Sequence, residues 1–285
     1  MFDYETAFSR NIGWLTIAEQ QKIRRAKVAI AGLGGVGGAH LLALARLGVG
    51  KFCIADFDDF GVHNFNRQAG AFVSTVGQSK VNVLRRMALD INPGVEIEVF
   101  EDGVVEGNVG RFLEGVDVYV DGIDFFAMEA RAMVFEAARK WGIPAVTAAP
   151  LGLGVGLLYF SPSGMSFEKY FRLAGLSEQE KYLRFIAGLS PAMLQRKYLV
   201  EPSAVNFGEH RGPSTIIACE LCAGVMAAAV MKIIVGRGVL RPAPWAMQFD
   251  GFRHQLRHTW RPFGNANPLQ RLLIAAIRSK LQLKA

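Results

Sequence analysis

A glycine-rich loop directly after an apolar run constrains the fold more than any other feature of this sequence. The run VAIA (28–31) leads into GLGGVGGAH (32–40), and a helix-like apolar stretch follows. Glycines at this spacing permit a tight turn between a buried strand and a helix, and they let backbone N–H groups approach a phosphate at the helix N-terminus. The pattern predicts a phosphate-binding βα unit, but by itself it does not distinguish a dinucleotide from ATP.

The rest of the chain alternates between strand-like and helix-like segments. Apolar strand patterns recur to about residue 149, with a helical pattern at 77–93 among them, and this order predicts parallel strands joined by helices. After Pro150, LGVGLLYFSPSG (153–164) resembles an antiparallel strand, and WAMQFDGFRHQLRHTW (245–260) resembles two strands around Asp250-Gly251. We therefore predict an α/β fold: a Rossmann-like, doubly wound mixed sheet with a parallel N-terminal half and antiparallel C-terminal strands.

No internal repeat, low-complexity segment or Gly/Ser linker divides the chain, which predicts a single domain over residues 1–285. Residues 1–26 would form a helical arm, and residues 27–160 the nucleotide-binding core. Residues 161–213, rich in aromatic side chains, would form a crossover segment near the substrate. Residues 214–285 would contain a helix, the final strands and an amphipathic tail helix.

Composition narrows the functional classes. Three cysteines in 285 residues do not suggest a disulfide framework, and they suit a reducing compartment. The N-terminus lacks an apolar signal-like segment, and the longest apolar run (221–231) is shorter than a membrane span. These features predict a soluble cytoplasmic protein. The net charge of +7 fits an anionic ligand, and it is compatible with RNA without indicating it.

Charged side chains after the second strand favour ATP over a dinucleotide. Asp56 ends that strand, where an acid that binds ribose hydroxyls is expected. Arg67 follows shortly after it, Lys80 stands near the start of the next helix, and Asp124 comes after the fourth strand. Cleavage of ATP between its α and β phosphorus atoms builds negative charge on the leaving pyrophosphate, which Arg and Lys stabilise. An Asp suits Mg²⁺, which takes one or two carboxylates together with phosphate oxygens.

The motifs as a set resemble the ThiF/MoeB/HesA adenylyltransferases, relatives of the ubiquitin-activating enzymes. The matching elements are GLGGVG (32–37), DFD (56–58), NFNRQ (64–68), VGQSK (76–80), INP (91–93) and DGID (121–124). An NAD-dependent oxidoreductase, the competing hypothesis, would share only the first two. A scaffold that has lost its ATP site would not keep all of them.

The resemblance implies that a carboxylate attacks the α-phosphate of ATP, so that an acyl-adenylate forms and pyrophosphate leaves. It implies ATP and Mg²⁺ as cofactors. The implied nucleotide contacts are Gly34, Gly35, Gly37, Asp56, Asp58, Asn64, Arg67, Lys80 and Asp124. Of these, Arg67, Lys80 and Asp124 would also act in catalysis, and Asp124 would hold the metal.

The N-terminal SRN (9–11) resembles the family's arginine finger, which the other subunit of a homodimer supplies. Arg10 is thus the implied fourth catalytic residue. The implied partner is the free C-terminal carboxylate of a ubiquitin-like protein, sulfur carrier or peptide. A small-molecule carboxylate, or one on tRNA as in threonylcarbamoyl-adenosine dehydratases, is the alternative.

The chain departs from many family members in its cysteines. Two C-x-x-C pairs hold a structural zinc in those members, whereas CELC (219–222) is the only pair here and lies in an apolar helical stretch. Buried helix cysteines are the favoured interpretation, with little weight on a site completed by His254 and His258. Residues 150–213 contain no cysteine, which predicts adenylation without a thioester relay. Phe125 replaces the asparagine that follows the family's metal-binding aspartate.

Overall fold

The computed structural model describes residues 2–280, which form an α/β fold around one mixed sheet. Hydrogen bonds connect eight strands in the order β3-β2-β1-β4-β5-β6-β7-β8. Strands β1 to β5 are parallel, and β6, β7 and β8 join antiparallel to one another and to β5. The strands are β1 Lys27–Ala31, β2 Lys51–Ala55, β3 Glu96–Phe100, β4 Val118–Asp121, β5 Ala145–Leu151, β6 Gly154–Phe160, β7 Trp245–Asp250 and β8 Gln255–Trp260. The predicted fold class is confirmed.

Helices follow most of the parallel strands and cover both faces of the sheet. They are α1 Tyr4–Ala7, α2 Ile17–Arg25, α3 Gly37–Leu47, α4 Lys80–Ile91, α5 Val109–Phe112, α6 Met128–Lys140, α7 Phe167–Phe171, α8 Glu178–Leu189, α9 Ile216–Val235 and α10 Pro268–Lys280. The N-terminal arm is not one continuous helix, because the chain leaves helical geometry after Asn11 and re-enters it only after the Thr16 capping box. The predicted tail helix ends within the described residues at Lys280, and residues 281–285 lie outside them.

Alternate residues of the buried strands supply two separate cores. Val28 and Ile30 of β1 belong to the larger core, which α3, α4 and α9 cover. Ala29 and Ala31 face the other core, which α6, α7 and α8 fill with aromatic side chains. A strand buried on both faces needs apolar residues at every position, which explains the continuous run that begins the chain's parallel half.

Helix α9 is longer than the apolar run that suggested it. It has twenty residues, and an 18-residue window within it has mean hydropathy 2.0, so the expectation that this segment is too short to cross a membrane is wrong on length and composition. The helix packs against α3 and against strands β5 and β6. Thr215 caps its N-terminus by accepting a hydrogen bond from the backbone N–H of Ala218. One face of the helix therefore packs against the core, and 39% of its apolar window is buried.

Parallel strand order places the carboxyl ends of β1, β2 and β4 side by side. The order reverses between β1 and β4. On one side of β1 lie β2 and β3, and on its other side lie β4 and β5. Such a reversal opens a crevice at the carboxyl edge of an α/β sheet, and ligands bind there. The loops 32–36, 56–79 and 122–127 all start at this edge.

Candidate functional site

The glycine loop between β1 and α3 uses its glycines for two different purposes. A Cβ on Gly37 would lie 1.8 Å from the carbonyl oxygen of Gly32, and Gly32 itself has φ +81° and crosses the backbone of Gly122. These positions need glycine because two loops touch there. Gly34 and Gly35 have more room, since a Cβ would lie 3.7 Å from the Gln68 amide and 3.3 Å from Cys219 Sγ, respectively. The structure thus gives Gly37 a packing role, and Gly34, Gly35 and Gly37 all remain predicted nucleotide contacts.

Asp56 fastens the glycine loop to the end of β2. One carboxylate oxygen accepts a hydrogen bond from the backbone N–H of Leu33 at 2.5 Å, and the other accepts one from the N–H of Asp58 at 2.9 Å. Burial raises the pKa of the Asp56 carboxyl, and these two bonds oppose that rise. The side chain is placed at the loop where ribose is predicted, with both oxygens already engaged by the backbone.

Lys80 is the first residue of α4, and its ammonium group points back toward the loop after β2. Its Nζ lies 2.8 Å from Asp58 Oδ2, and its side chain is 7% exposed, whereas that of Asp58 is 54% exposed. The backbone N–H of Lys80 also donates to the carbonyl of Asp58 at 2.9 Å. A buried cation therefore stands behind an exposed carboxylate, so an anion arriving from solvent can share or replace that carboxylate.

Arg67 lies against the glycine loop. A Cβ on Gly35 would be 3.6 Å from the Arg67 side chain, whose Nη1 donates to the carbonyl of His63 at 3.1 Å and to Asn66 Oδ1 at 2.9 Å. Asn66 in turn donates to the carbonyl of Ser214, just before α9, at 3.0 Å. This chain of contacts connects the glycine loop, the loop after β2 and the start of α9 at one place.

Two neighbours of Arg67 are buried. Asn64, a predicted nucleotide contact, has its Oδ1 accepting a hydrogen bond from the N–H of Gly61 at 2.9 Å, and its contact with the nucleotide stays a prediction. It stabilises the turn in which it lies, and sequence position alone could not reveal this. Gln68 is also buried, and its Oε1 has no hydrogen-bond partner within the described residues. Its amide adjoins Gly34, so Gln68 joins the site as a polar group that sequence reasoning left out of its set of binding residues.

Asp124 is exposed at the carboxyl end of β4. Its Oδ1 accepts a hydrogen bond from the N–H of Phe126 at 2.9 Å, which holds the carboxylate in a tight local turn. Residues 2–280 contain no group of three His, Cys, Asp or Glu side chains able to hold a metal. Mg²⁺ often takes only one or two carboxylates and completes its shell with phosphate oxygens and water, so a single Asp fits that ion.

A buried ion pair that the sequence did not indicate supports the Asp124 loop on its buried side. Arg131 Nε lies 2.9 Å from Asp121 Oδ2, and the two side chains are 3% and 2% exposed. The Arg131 guanidinium also donates to the carbonyls of Ile123 and Phe125, on either side of Asp124, and lies 4.6 Å over the ring of Phe185. Arg131 looked like an ordinary helix residue, because its partner is ten positions earlier in a different element.

The crossover segment reaches Asp124 through aromatic side chains. His210 and Phe207, from the segment before α9, lie on Phe126 and Phe125. The Tyr182 hydroxyl donates to Glu178 at 2.6 Å; burial, then that bond and the charges of Glu178 and Asp124, raise the pKa of Tyr182 to about 12. Glu209 and Arg211 pair with each other at 3.2 Å. Among Glu209, His210 and Arg211, His210 is therefore the one that contacts the Asp124 loop.

The three cysteines lie in protected positions. Cys53, Cys219 and Cys222 are all buried, and no disulfide joins them, which confirms the interpretation of CELC as buried helix residues. Burial raises the pKa of Cys53 to about 11, and it also raises the pKa of the other two thiols, although Arg67 opposes the rise at Cys219. A thiol with a raised pKa is a poor nucleophile at neutral pH.

Arg10 is far from the residues just described. Its neighbour Asn11 donates to the carbonyl of Leu47, at the C-terminal end of α3, while the glycine loop lies at the N-terminal end of that helix. An eleven-residue helix is about 16 Å long. The structure therefore brings together the glycine loop, Asp56, Asp58, Arg67, Lys80 and Asp124 at one edge, and it leaves Arg10 of the same chain outside.

The sequence model of the ThiF family matches residues 8–272. The tRNA threonylcarbamoyladenosine dehydratase of Bacillus subtilis is 35% identical over 144 residues, which are 50% of this chain and 55% of that protein. The probable adenylyltransferase/sulfurtransferase MoeZ of Mycobacterium tuberculosis is 35% identical over 132 residues, 46% of this chain and 33% of that protein. The chain thus spans about half the length, or less, of these curated relatives.

Solved structures share the fold over most of the chain. The crystal structure of MccB from E. coli with ATP aligns with a TM-score of 0.64 and 18% identity, and the alignment covers 93% of this chain and 73% of that one. At this identity the likeness establishes the architecture.

Proposed function

The chain belongs to the ThiF family, and from that premise we propose that it is an ATP-dependent adenylyltransferase that activates a carboxylate. One observation carries the proposal: the glycine loop, a buried lysine, an arginine and an exposed aspartate converge at the switch point of the sheet. A nicotinamide enzyme needs only the loop and Asp56 for its pyrophosphate and ribose. An enzyme that cleaves ATP would in addition use Lys80 and Arg67 to stabilise the leaving pyrophosphate and Asp124 to hold the metal.

In the proposed reaction, a carboxylate oxygen attacks the α-phosphorus of ATP. The bond from that phosphorus to the bridging oxygen breaks, pyrophosphate leaves with the electron pair, and the acyl group stays on AMP as a mixed anhydride. Lys80 and Arg67 would stabilise the charge that grows on the pyrophosphate, because cations placed in advance lower the barrier where water is partly excluded. Asp124 would hold Mg²⁺, which neutralises phosphate charge when bound.

The proposed assembly is a homodimer in which Arg10 serves the partner's site. Arg10 cannot reach its own glycine loop past α3, so a role in catalysis requires a second copy. Leu256 and Trp260 are 56% and 54% exposed on the last strand, and they offer apolar surface for such a contact. Mixing Arg10→Ala with Lys80→Ala protein tests this: recovery of activity supports sharing between subunits, and inactivity of the re-formed mixture contradicts it.

The proposed substrate is the free C-terminal carboxylate of a peptide or of a small ubiquitin-like protein. A carboxylate on tRNA is the second candidate. The excess of basic residues near the C-terminus supports it, since residues 236–285 contain nine Lys and Arg but only one Asp or Glu and would attract an anionic RNA. In either case we propose that the acyl group does not pass to a cysteine, since all three thiols are buried. A soluble, cytoplasmic location remains the prediction.

Pyrophosphate–ATP exchange tests the function directly. Purified protein with Mg²⁺ and labelled pyrophosphate is offered peptides, ubiquitin-like proteins and tRNA in turn, and label entering ATP only with one class identifies the substrate class. Tight binding of NAD, with neither ATP binding nor exchange, would instead support an oxidoreductase. Cytoplasmic fractionation of the tagged protein tests the predicted location.

A further inference from the structure

Four aromatic rings form a contiguous cluster beside Asp124. We call this cluster the aromatic pad; it consists of the half-buried Phe125, Phe126 and Phe207 and the buried Tyr182. Ring centroids are 5.0 Å apart for Phe125–Phe126 and for Phe126–Tyr182, and the Phe125–Phe207 pair is stacked at 6.2 Å. Phe125 and Phe126 are only half-buried, although they directly follow the exposed Asp124.

One planar side chain already lies on the pad. The His210 imidazole stacks on Phe126 with centroids 4.8 Å apart and an angle of 17° between the planes. It is exposed and comes from a short turn closed by two 2.9 Å backbone hydrogen bonds between Asn206 and Arg211. His210 has φ +50°, a left-handed conformation that is uncommon outside glycine, and its Nε2 lies 3.4 Å from the Tyr182 hydroxyl. The turn thus holds a flat ring on Phe126 at some cost in backbone strain.

We propose that the aromatic pad binds the acyl side of the substrate, and that this side carries an aromatic ring close to the reacting carboxylate. The inference rests on the proposed adenylation. The carboxylate must reach the α-phosphate near Asp124, so the group attached to it falls on the next two residues, Phe125 and Phe126. A substrate ring stacks on Phe126 in the place of His210, and the Asn206–Arg211 turn moves aside.

The pad is poorly suited to a Gly-Gly end. Such a tail presents backbone amides, which need hydrogen-bond partners when water is excluded. The pad consists of aromatic rings, and its one hydroxyl, on Tyr182, already donates to Glu178 at 2.6 Å. Aromatic rings stack favourably in offset or edge-to-face geometry, which a planar substituent can adopt and a glycine cannot. The same ring could belong to a free aryl carboxylic acid or to the C-terminal Phe, Tyr or Trp of a peptide.

Matched carboxylates separate these possibilities in the exchange assay. We compare phenylacetate with cyclohexylacetate and acetate, and the peptide Ala-Ala-Phe with Ala-Gly-Gly. Phenylacetate or Ala-Ala-Phe is expected to show at least a tenfold higher kcat/KM than its non-aromatic counterpart, and whichever of the two is faster identifies the source of the ring. Equal or faster exchange with acetate or Ala-Gly-Gly would overturn the inference while leaving adenylation intact.

Variants locate the preference on the pad. Phe126→Leu is expected to reduce the tenfold discrimination to about one, with the KM for ATP unchanged, and His210→Ala is expected to lower the KM for the aromatic substrate. Phe252→Leu, at an exposed phenylalanine in the β7–β8 turn, is the matched control and keeps the discrimination. Unaltered discrimination in Phe126→Leu would place the aromatic preference elsewhere.

A binding measurement keeps the inference testable even if no carboxylate supports exchange. The chain has five histidines, and His210→Gln identifies the imidazole signals of His210 by NMR. Stacking on Phe126 shifts these signals through the ring current. Phenylacetate added with ATP and Mg²⁺ is expected to abolish that shift, whereas acetate is not. Failure of exchange alone would contradict the proposed function, and a shift that saturating phenylacetate or Ala-Ala-Phe leaves unchanged would contradict the pad's role.

Discussion

At the same edge of the sheet, two aspartates near strand ends each pair with a lysine or arginine of the following helix, and the pairs differ in their access to water. After β2, Lys80 at the start of α4 is buried but Asp58 is half exposed, at a separation of 2.8 Å. At the end of β4, Asp121 and Arg131 of α6 are both buried, at 2.9 Å. An open pair can exchange its carboxylate for another anion, whereas a closed pair cannot do so without leaving a charge uncompensated. We therefore propose that the open pair belongs to the ligand-binding site and that the closed pair supports the Asp124 loop.

Breaking the closed pair is expected to have the largest effect. Arg131→Met leaves the Asp121 carboxylate buried without a partner, which typically costs about 3–5 kcal/mol. Urea unfolding measures the loss. The double variant Arg131→Met/Asp121→Asn should recover part of it, and Arg111→Met, in an exposed pair with Glu98, should change the stability by less than about 1 kcal/mol. A stable Arg131→Met protein would show that the pair does not support the loop.

Removing the lysine of the open pair should lower the turnover rate rather than the stability. Lys80→Ala is expected to slow pyrophosphate exchange by about 10²–10³-fold, the usual scale for one lost electrostatic group in an active site. Its unfolding curve should stay close to that of the parent protein, and Lys51→Ala, in the exposed pair with Glu96, should leave exchange unchanged. Full activity of Lys80→Ala would remove the lysine from the site. Arg67→Ala should behave as Lys80→Ala does.

His40 extends the comparison to a buried group that has no partner. Neither ring nitrogen has a hydrogen-bond partner within the described residues, and burial lowers the pKa of His40 to about 3. Between that value and the ordinary one near 6.5, the unfolded chain binds the proton and the folded chain does not, so stability falls as pH drops. The slope is about 1.4 kcal/mol per pH unit below about pH 6. His40→Leu should remove this slope in urea titrations at pH 4–7; an unchanged slope would contradict the assignment.

Neutralising the open pair from the carboxylate side is expected to have the smallest effect on stability. Asp58 is largely solvated, so Asp58→Asn should change the free energy of unfolding by less than about 1 kcal/mol. Asp121→Asn, at the equivalent position in the closed pair, leaves a buried guanidinium without its counter-charge and should cost several times more. Equal costs in thermal or urea unfolding would erase the distinction between the two pairs.

Sequence patterns were sufficient for the fold because they act locally. The apolar run into the glycine loop, the strand–helix alternation and the hairpin near Asp250-Gly251 each follow from neighbouring residues, and the sheet contains them all. The positions of Arg67, Lys80 and Asp124 along the chain also indicated one edge, since parallel strands end together. For these residues the structure supplies the placement, and their roles remain predictions.

What escaped the sequence depends on contacts between distant elements. Arg131 pairs with Asp121 across a strand and a helix, and Asn64 turns inward to Gly61. His210 reaches Phe126 from 84 positions further along the chain, because a long crossover segment folds back over the Asp124 loop. No periodicity encodes such contacts. Gly37 is a further example: a Cβ at this motif position would meet the carbonyl oxygen of Gly32, a packing constraint that the motif alone did not reveal, and its nucleotide contact stays a prediction.

The most direct test of the proposed adenylation follows one carboxylate oxygen of the substrate into AMP. The substrate identified by exchange is labelled with ¹⁸O in its carboxylate, turned over with ATP and Mg²⁺, and the AMP is analysed by mass spectrometry. If the carboxylate attacks the α-phosphorus, release of the acyl group leaves one ¹⁸O in AMP. Unlabelled AMP, or ADP and phosphate as the products, would contradict adenylation at this site.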